Sequence, residues 1–334
     1  MPVLVVPLLA VACSSSDAPA TDASEVVEFL AADELAGRDN STEGSRLAQD
    51  YLISQLQEFA QPLPGDAPGA DGFATGVAAA LDIGRSLASG TEPPRRSVII
   101  ALWDREEDGL LGSAAYLAAP PVPLTATVAY VNFDIQGANL SPALRGSTLV
   151  VGAETGGTNL VQAVQAASAA SDLATVSFSL VFGQGRSDHA NFVTAGVPSV
   201  FFTDASAPCY HTVGDDLSVV DFPKLEQQIA LADALTHDLA AAEVAPSFDL
   251  GAPLATYDDA LSMQQLLVPA EADFGRLSSA DEAAAKQFLV DLTSIVDAGP
   301  DAFDETAIGT LLSGAASIVE ALASGECDGF LDPA

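Results

Sequence analysis

Ser97-Val98-Ile99-Ile100-Ala101-Leu102-Trp103-Asp104-Arg105-Glu106-Glu107-Asp108-Gly109-Leu110-Leu111-Gly112-Ser113 is the stretch whose reading decides the fold. Its opening run is short, apolar and β-branched, the pattern of a strand in a sheet core. The polar cluster that follows lies at the strand's carboxyl end, the edge where open α/β sheets bind ligands. Glu106 and Glu107 are adjacent carboxylates, which repel unless a cation neutralises one or one keeps its proton. The pair reads either as a metal and acid/base centre or as a solvated loop, since Glu-Glu is common on surfaces.

Working outward, strand patterns recur at 127–134, 147–152, 176–181 and 197–203, with helical spacing at 110–118, 158–170 and 188–194 between them. Upstream, helices are predicted over 26–36 and 45–59, Ser41 and Thr42 being placed to start the second, and over the alanine-rich 73–88. Strands alternating with helices predict an α/β three-layer sandwich with a mainly parallel mixed sheet. A long amphipathic helix over 222–242 closes it. Beyond Pro246, helices over 257–267, 280–296 and 304–323 form a C-terminal helical appendage whose apolar faces need a partner. The predicted division is 1–23, 24–245 and 246–334.

The chain has 334 residues, and 49% hydrophobic content excludes general disorder. Its net charge of −35 repels nucleic acid and anionic lipid surfaces, so neither is expected as a partner. Residues 1–12 are apolar and end in Leu9-Ala10-Val11-Ala12 before Cys13, as in a bacterial lipoprotein signal, and a Ser/Asp/Ala/Pro tether follows to Ala23. This predicts an exported chain, held to a cell-envelope membrane only by lipid on Cys13, or periplasmic or secreted. No Lys or Arg precedes Cys13, and the alternative is a buried N-terminal strand. No other segment carries about 18 uncharged apolar residues. With Cys13 lipidated, Cys209 and Cys327 are left, either paired or free, in an oxidising compartment.

Further segments bear on the Glu pair: Pro68-Gly69-Ala70-Asp71-Gly72-Phe73, Asn132-Phe133-Asp134, Ser187-Asp188-His189-Ala190-Asn191-Phe192 and Cys209-Tyr210-His211-Thr212. With the opening Leu30-Ala31-Ala32-Asp33-Glu34-Leu35-Ala36-Gly37-Arg38, they resemble, in order, the zinc aminopeptidase family of bacterial leucyl aminopeptidase, glutamate carboxypeptidase and glutaminyl cyclase. The resemblance covers about residues 26–242 and leaves the helical tail outside.

The resemblance implies that Glu106 is the general base, Glu107 and His211 ligands of one zinc and Asp134 a ligand of a second, with a peptide as substrate. Ser187 and Asp188 shape the pocket. Tyr210 and Arg186 either bind substrate or pack, His189 is read as satisfying local hydrogen bonds, and His237 as a surface residue. The family's strand ending in His-x-Asp has no counterpart, because the short linker before the Gly-Ala-Asp segment holds no histidine. Edge strands are therefore expected to be missing. Gly72 stands where the family bridges its metals with an Asp, and Asp71 reaches that place only by a one-residue slip. The family holds two zincs, and one or none is expected here. The readings are an exported exopeptidase with impaired catalysis, a non-catalytic peptide-binding relative, or a single-zinc acyl transferase like glutaminyl cyclase.

Overall fold

The computed structural model of the chain describes residues 4–7, 23–38, 42–61, 74–91, 93–207, 209–249 and 254–323. Two short strands, β1 (Leu4–Pro7) and β2 (Ile99–Leu102), pair antiparallel. Strands β3 (Tyr130–Phe133), β4 (Ser147–Val151), β5 (Ala174–Phe178) and β6 (Ser199–Thr203) form a four-stranded sheet in the order β3-β6-β4-β5. The β3/β6 and β4/β5 ladders are parallel and β4/β6 is antiparallel, so the sheet is mixed.

Side chains alternate across this sheet, and the alternation builds its layers. Val150, Val200 and Phe202 face a core with Ile83 and Leu87 of α3 (Ala74–Ser89), Leu160 and Val164 of α5 (Gly157–Ala169), and Leu231 and Leu235 of α7 (Phe222–Ala241). Their neighbours Val151 and Phe201, with Phe178, face the opposite way. There they meet Met263 and Leu266 of α8 (Tyr257–Ala270), Leu292 of α9 (Ser279–Ala298) and Leu311 and Ile318 of α10 (Glu305–Ala323). The C-terminal helices thus supply the layer that covers this face of the sheet.

Three local readings change. The helix predicted over 26–36 stops early: α1 is Ala23–Leu30, and a 3-10 turn, Asp33–Arg38, follows. Ala36 and Arg38 sit there at φ 48° and 59°, outside helical geometry. The strand predicted over 176–181 is β5, Ala174–Phe178, because its ladder with β4 runs from Ser147 opposite Ala174 to Val151 opposite Phe178, after which Leu180–Gly183 coils. The strand predicted over 97–103 joins no strand of the main sheet among the described residues. Its backbone partner is β1, inside the stretch read as an export signal. Thr42 starts α2 (Glu43–Gln57), accepting from the Ser45 amide at 3.1 Å.

None of the described helices is long and apolar enough to cross a membrane. Leu292, fully buried, lies in the core shared by the sheet and the C-terminal helices. Leu292→Ala should therefore destabilise the chain by about 2–5 kcal/mol. Urea unfolding followed by far-UV circular dichroism and by elution volume should show one coincident transition; a separate early transition of the C-terminal helices would contradict a shared core.

Candidate active site beyond strands β2, β3 and β6

The loop after β2 turns sharply into α4 (Leu111–Ala118), with Arg105 at φ 58°, Gly109 at 98° and Leu110 at 60°. Gly112 lets α4 approach closely, since a Cβ there would sit 2.5 Å from the Asp104 carbonyl oxygen. The Glu106 carbonyl accepts the Gly109 and Leu110 amides at 3.0 and 2.8 Å, fixing the turn that presents both glutamates. Glu107 is exposed, and its Oε1 lies 2.8 Å from His211 Nε2.

His211 comes from the loop after β6, where Cys209 and His211 have φ of 62° and 60°. Non-glycine residues reach this region only at an energetic cost of about 1–2 kcal/mol, so the surroundings must hold them. Cys209 is buried and disulfide-bonded; the chain's two other cysteines, Cys13 and Cys327, lie outside the described residues. The Cys209 carbonyl accepts the Thr212 amide at 2.9 Å and its hydroxyl at 2.7 Å. Tyr210 stacks on His211 with ring centroids 3.8 Å apart. Burial and then the charges of Glu107, Asp134 and Glu106 raise the Tyr210 hydroxyl above its usual range, with Arg186 pulling the other way. It is a neutral donor at any working pH.

Tyr130, Asn132 and Asp134 alternate along β3 and its end, so they face one side. They form a directed chain of hydrogen bonds. Trp103 Nε1 donates to the Tyr130 hydroxyl at 2.8 Å, which donates to Asn132 Oδ1 at 2.7 Å. Asn132 Nδ2 donates to Ser187 Oγ at 2.8 Å, and the Ser187 side chain hydrogen-bonds Asp134. Burial pushes Asp134 up to about 7, Asp188 and Glu107 push the same way, and Ser187 and His211 oppose them. Its Oδ1 is buried without a partner among the described residues. Near neutral pH this carboxyl is therefore poised between acid and carboxylate. Trp103 and Asn132 lie in stretches that the sequence marks out, yet neither they nor Tyr130 has a role assigned there; the period-two spacing up to Asp134 was the available signal.

The coil after Asp134 is held from below. Ile135 sits at φ 61°, strained for a β-branched residue, while its carbonyl accepts the Asp204 amide at 2.8 Å. The Ala138 amide donates to Asp204 Oδ2 at 2.9 Å and the Gly137 amide to Gln228 Oε1 at 2.7 Å. Lys224, 4% exposed, reaches Asp204 Oδ1 at 3.0 Å and the Ala138 carbonyl at 2.6 Å. Arg145 Nε and Asn139 Nδ2 donate to Asp221, whose other oxygen accepts the Lys224 amide at the start of α7.

Beside the Glu107–His211 pair opens a cleft of about 300 Å³, walled by Val27 and Leu30 of α1, Ala74 and Thr75 of α3, and Ile135 and Val220. This is at the small end of ligand pockets. Asp188 accepts from the Ser113 hydroxyl and is buried, and Ser187 is buried in the chain above. Arg186 is exposed. Asp71 lies outside the described residues. Read as locally satisfied, His189 is instead 1% exposed, stacked on Phe201, and neither ring nitrogen has a partner among the described residues. It is wedged under Gly183, where a Cβ would come within 2.7 Å of its Nε2. Burial lowers its pKa to about 4, so it is a neutral packing group. His237 is half-exposed but contacts Ser86 Oγ at 3.2 Å and Asp233 at 3.5 Å.

Comparison with known proteins reports on this arrangement. The profile of Peptidase family M28 matches residues 56–235. The chain is 32% identical over 155 residues to the probable glutamate carboxypeptidase LAMP1 of Arabidopsis thaliana, covering 42% of the chain and 22% of that protein. It is 32% identical over 179 residues to the probable glutamate carboxypeptidase AMP1 of the same plant, covering 49% and 23%. The chain thus spans less than a quarter of the length of these curated relatives. In fold it is similar to the LapA aminopeptidase of Legionella pneumophila, with TM-score 0.51, 16% identity and coverage of 71% and 80%. Glutaminyl cyclase of Porphyromonas gingivalis matches with TM-score 0.52, 16% identity and coverage of 66% and 98%.

Lys224→Met leaves Asp204 buried without its cation and should destabilise the fold by about 3–5 kcal/mol, measured by urea denaturation. His189 gives a pH signature. Its unfolded form titrates near 6.5 and its folded form near 4, so on acidification the unfolded state takes the proton first. The associated stability is complete above pH 6.5 and lost progressively towards pH 4, by about 3 kcal/mol. His189→Phe should flatten this acid limb; an unchanged limb would place the proton uptake elsewhere.

Proposed function

Because this chain belongs to peptidase family M28, we propose that it is an exported metallo-exopeptidase of aminopeptidase type with impaired catalysis, its cleft still receiving the end of a peptide. The observation that carries the reading is the Glu107–His211 contact at 2.8 Å beside the cleft, with Glu106 adjacent and Asp134 buried behind. The family and its structural neighbours imply zinc. A catalytic zinc takes three protein donors and keeps a position for water. Among the described residues no three His, Cys, Asp or Glu groups are placed to hold a metal, so those residues do not fit the family's pair of zincs. Asp71, which the family resemblance offers as a further donor for a single site, lies outside the described residues.

The chain's own groups suit hydrolysis at this edge. Glu106 is the base that takes a proton from the attacking water. The Tyr210 hydroxyl, neutral among carboxylates, is a hydrogen-bond donor for a developing oxyanion. The apolar wall at Val27, Leu30 and Val220 suits a small aliphatic side chain. Export is supported by the apolar residues 1–12 ahead of Cys13, and by the disulfide at Cys209, which suits an oxidising compartment.

The test is zinc content by mass spectrometry together with turnover of aminoacyl anilides and of peptides with an N-terminal glutamine. The purified chain should hold at most one zinc, lose it in Asp71→Asn, and cleave anilides far below about 1 per second, with Glu106→Gln removing the residue of activity. Two zinc equivalents with fast cleavage would show the site to be intact. Cyclisation of the glutamine peptides would favour the acyl transferase reading, and no metal and no turnover the peptide-binding one.

A further inference from the structure

Strand β2 is covered on both faces. Ile100 and Leu102 pack among α1, α2 and α3, and Ile99 and Ala101 pack on the cluster of Trp103, Tyr116, Phe192 and Val197. Along one edge its backbone pairs, among the described residues, with β1. The register is antiparallel: Leu4 lies opposite Leu102, Val5 opposite Ala101, Val6 opposite Ile100 and Pro7 opposite Ile99. The amino end of β1 therefore lies at the end of β2 that runs on into Glu106 and Glu107. Proline has no N–H for a ladder, and Pro7 sits at the far end.

We infer that the edge of β2 is a strand-addition site for an extended apolar peptide, entering amino end first towards Glu106 and Glu107, and that Leu4–Pro7 fills it in the unprocessed chain. The inference rests on the exopeptidase reading, for which a free amino end is the part of a peptide that must reach the glutamates. Main-chain hydrogen bonds along the edge hold such a peptide whatever its side chains, as in other strand additions. The carboxylates at its amino end attract an ammonium group. A tethered segment competes at an effective concentration of the order of millimolar, so Leu4–Pro7 occludes the edge until residues 1–12 are cut away ahead of Cys13. Export processing and opening of the edge are then one event.

The test uses the full chain in EDTA and the peptide Leu-Val-Val-Pro-Leu-Leu labelled at its carboxyl end, read by fluorescence anisotropy. Substituting Val5→Pro and Val6→Pro together should dislodge β1 and raise affinity for the peptide at least tenfold over the unsubstituted chain. N-methylation of both valines of the peptide should weaken binding at least tenfold, and acetylation of its amino end several-fold. Equal affinity of the methylated peptide, or of the two chains, would overturn strand addition. Equal affinity of the acetylated peptide would overturn the amino-end-first direction. Since binding is read without metal or turnover, its failure leaves the zinc and cleavage assays to judge the exopeptidase reading separately.

Discussion

The Lys224 ammonium, buried between Asp204 and the Ala138 carbonyl, is the contact on which the geometry of the site depends. The segment from Asp134 to Asn139 has no ladder or helix of its own, yet it carries a buried carboxyl at one end and walls the cleft along its length. Its amides and carbonyls must find partners, because unpaired buried backbone groups are costly. Asp204 and Gln228 provide them, and Asp204 is tolerable there because Lys224 and Gln228 lie against it. Burial raises the Asp204 carboxyl above its usual range, with Lys224, Gln228 and the Ala138 amide pulling the other way.

The sheet edge itself concentrates like charge. Glu106, Glu107, Asp134 and Asp188 all act on the same small volume, as the upward shifts of Tyr210 and Asp134 show. Such crowding is relieved by a proton, by a cation, or by an imidazole. Asp134 takes the first course near neutrality, and Glu107 takes the third through His211. The remaining negative potential favours positively charged ligands over anionic ones.

Much of this was legible in the sequence, for reasons that differ by element. The strands at 130–133, 147–151 and 199–203 follow from apolar β-branched runs; the polar residues after the first and third share one edge of the sheet, while β4 runs the other way and ends at the opposite edge. Ser187 and Asp188 were singled out by the family resemblance, not by local pattern, and the structure buries both in hydrogen bonds, Ser187 with Asn132 and Asp188 with Ser113. What escaped was non-local. Nothing in residues 97–102 says that their ladder partner is residues 4–7, because an apolar leader and an apolar strand share a composition. The fate of His189 was equally hidden, since a histidine at a helix start hydrogen-bonds or packs according to what lies over it, and here that is Phe201 and Gly183. The relay through Tyr130 and Asn132 depends on Trp103 reaching across from another strand, which spacing alone does not encode.

That relay has an optical consequence. Trp103 is the only tryptophan in the chain, and its indole N–H is the first donor of a hydrogen-bonded line that ends on Asp134. Indole emission is sensitive to the polarity and hydrogen bonding around the ring, and Trp103 is 8% exposed, so bulk solvent contributes little to it. A change of charge at Asp134, by proton or by cation, repolarises Ser187, Asn132 and Tyr130 in turn. A change of charge at Asp134 should therefore shift the emission of Trp103, so that the protein carries its own optical reporter of that carboxyl.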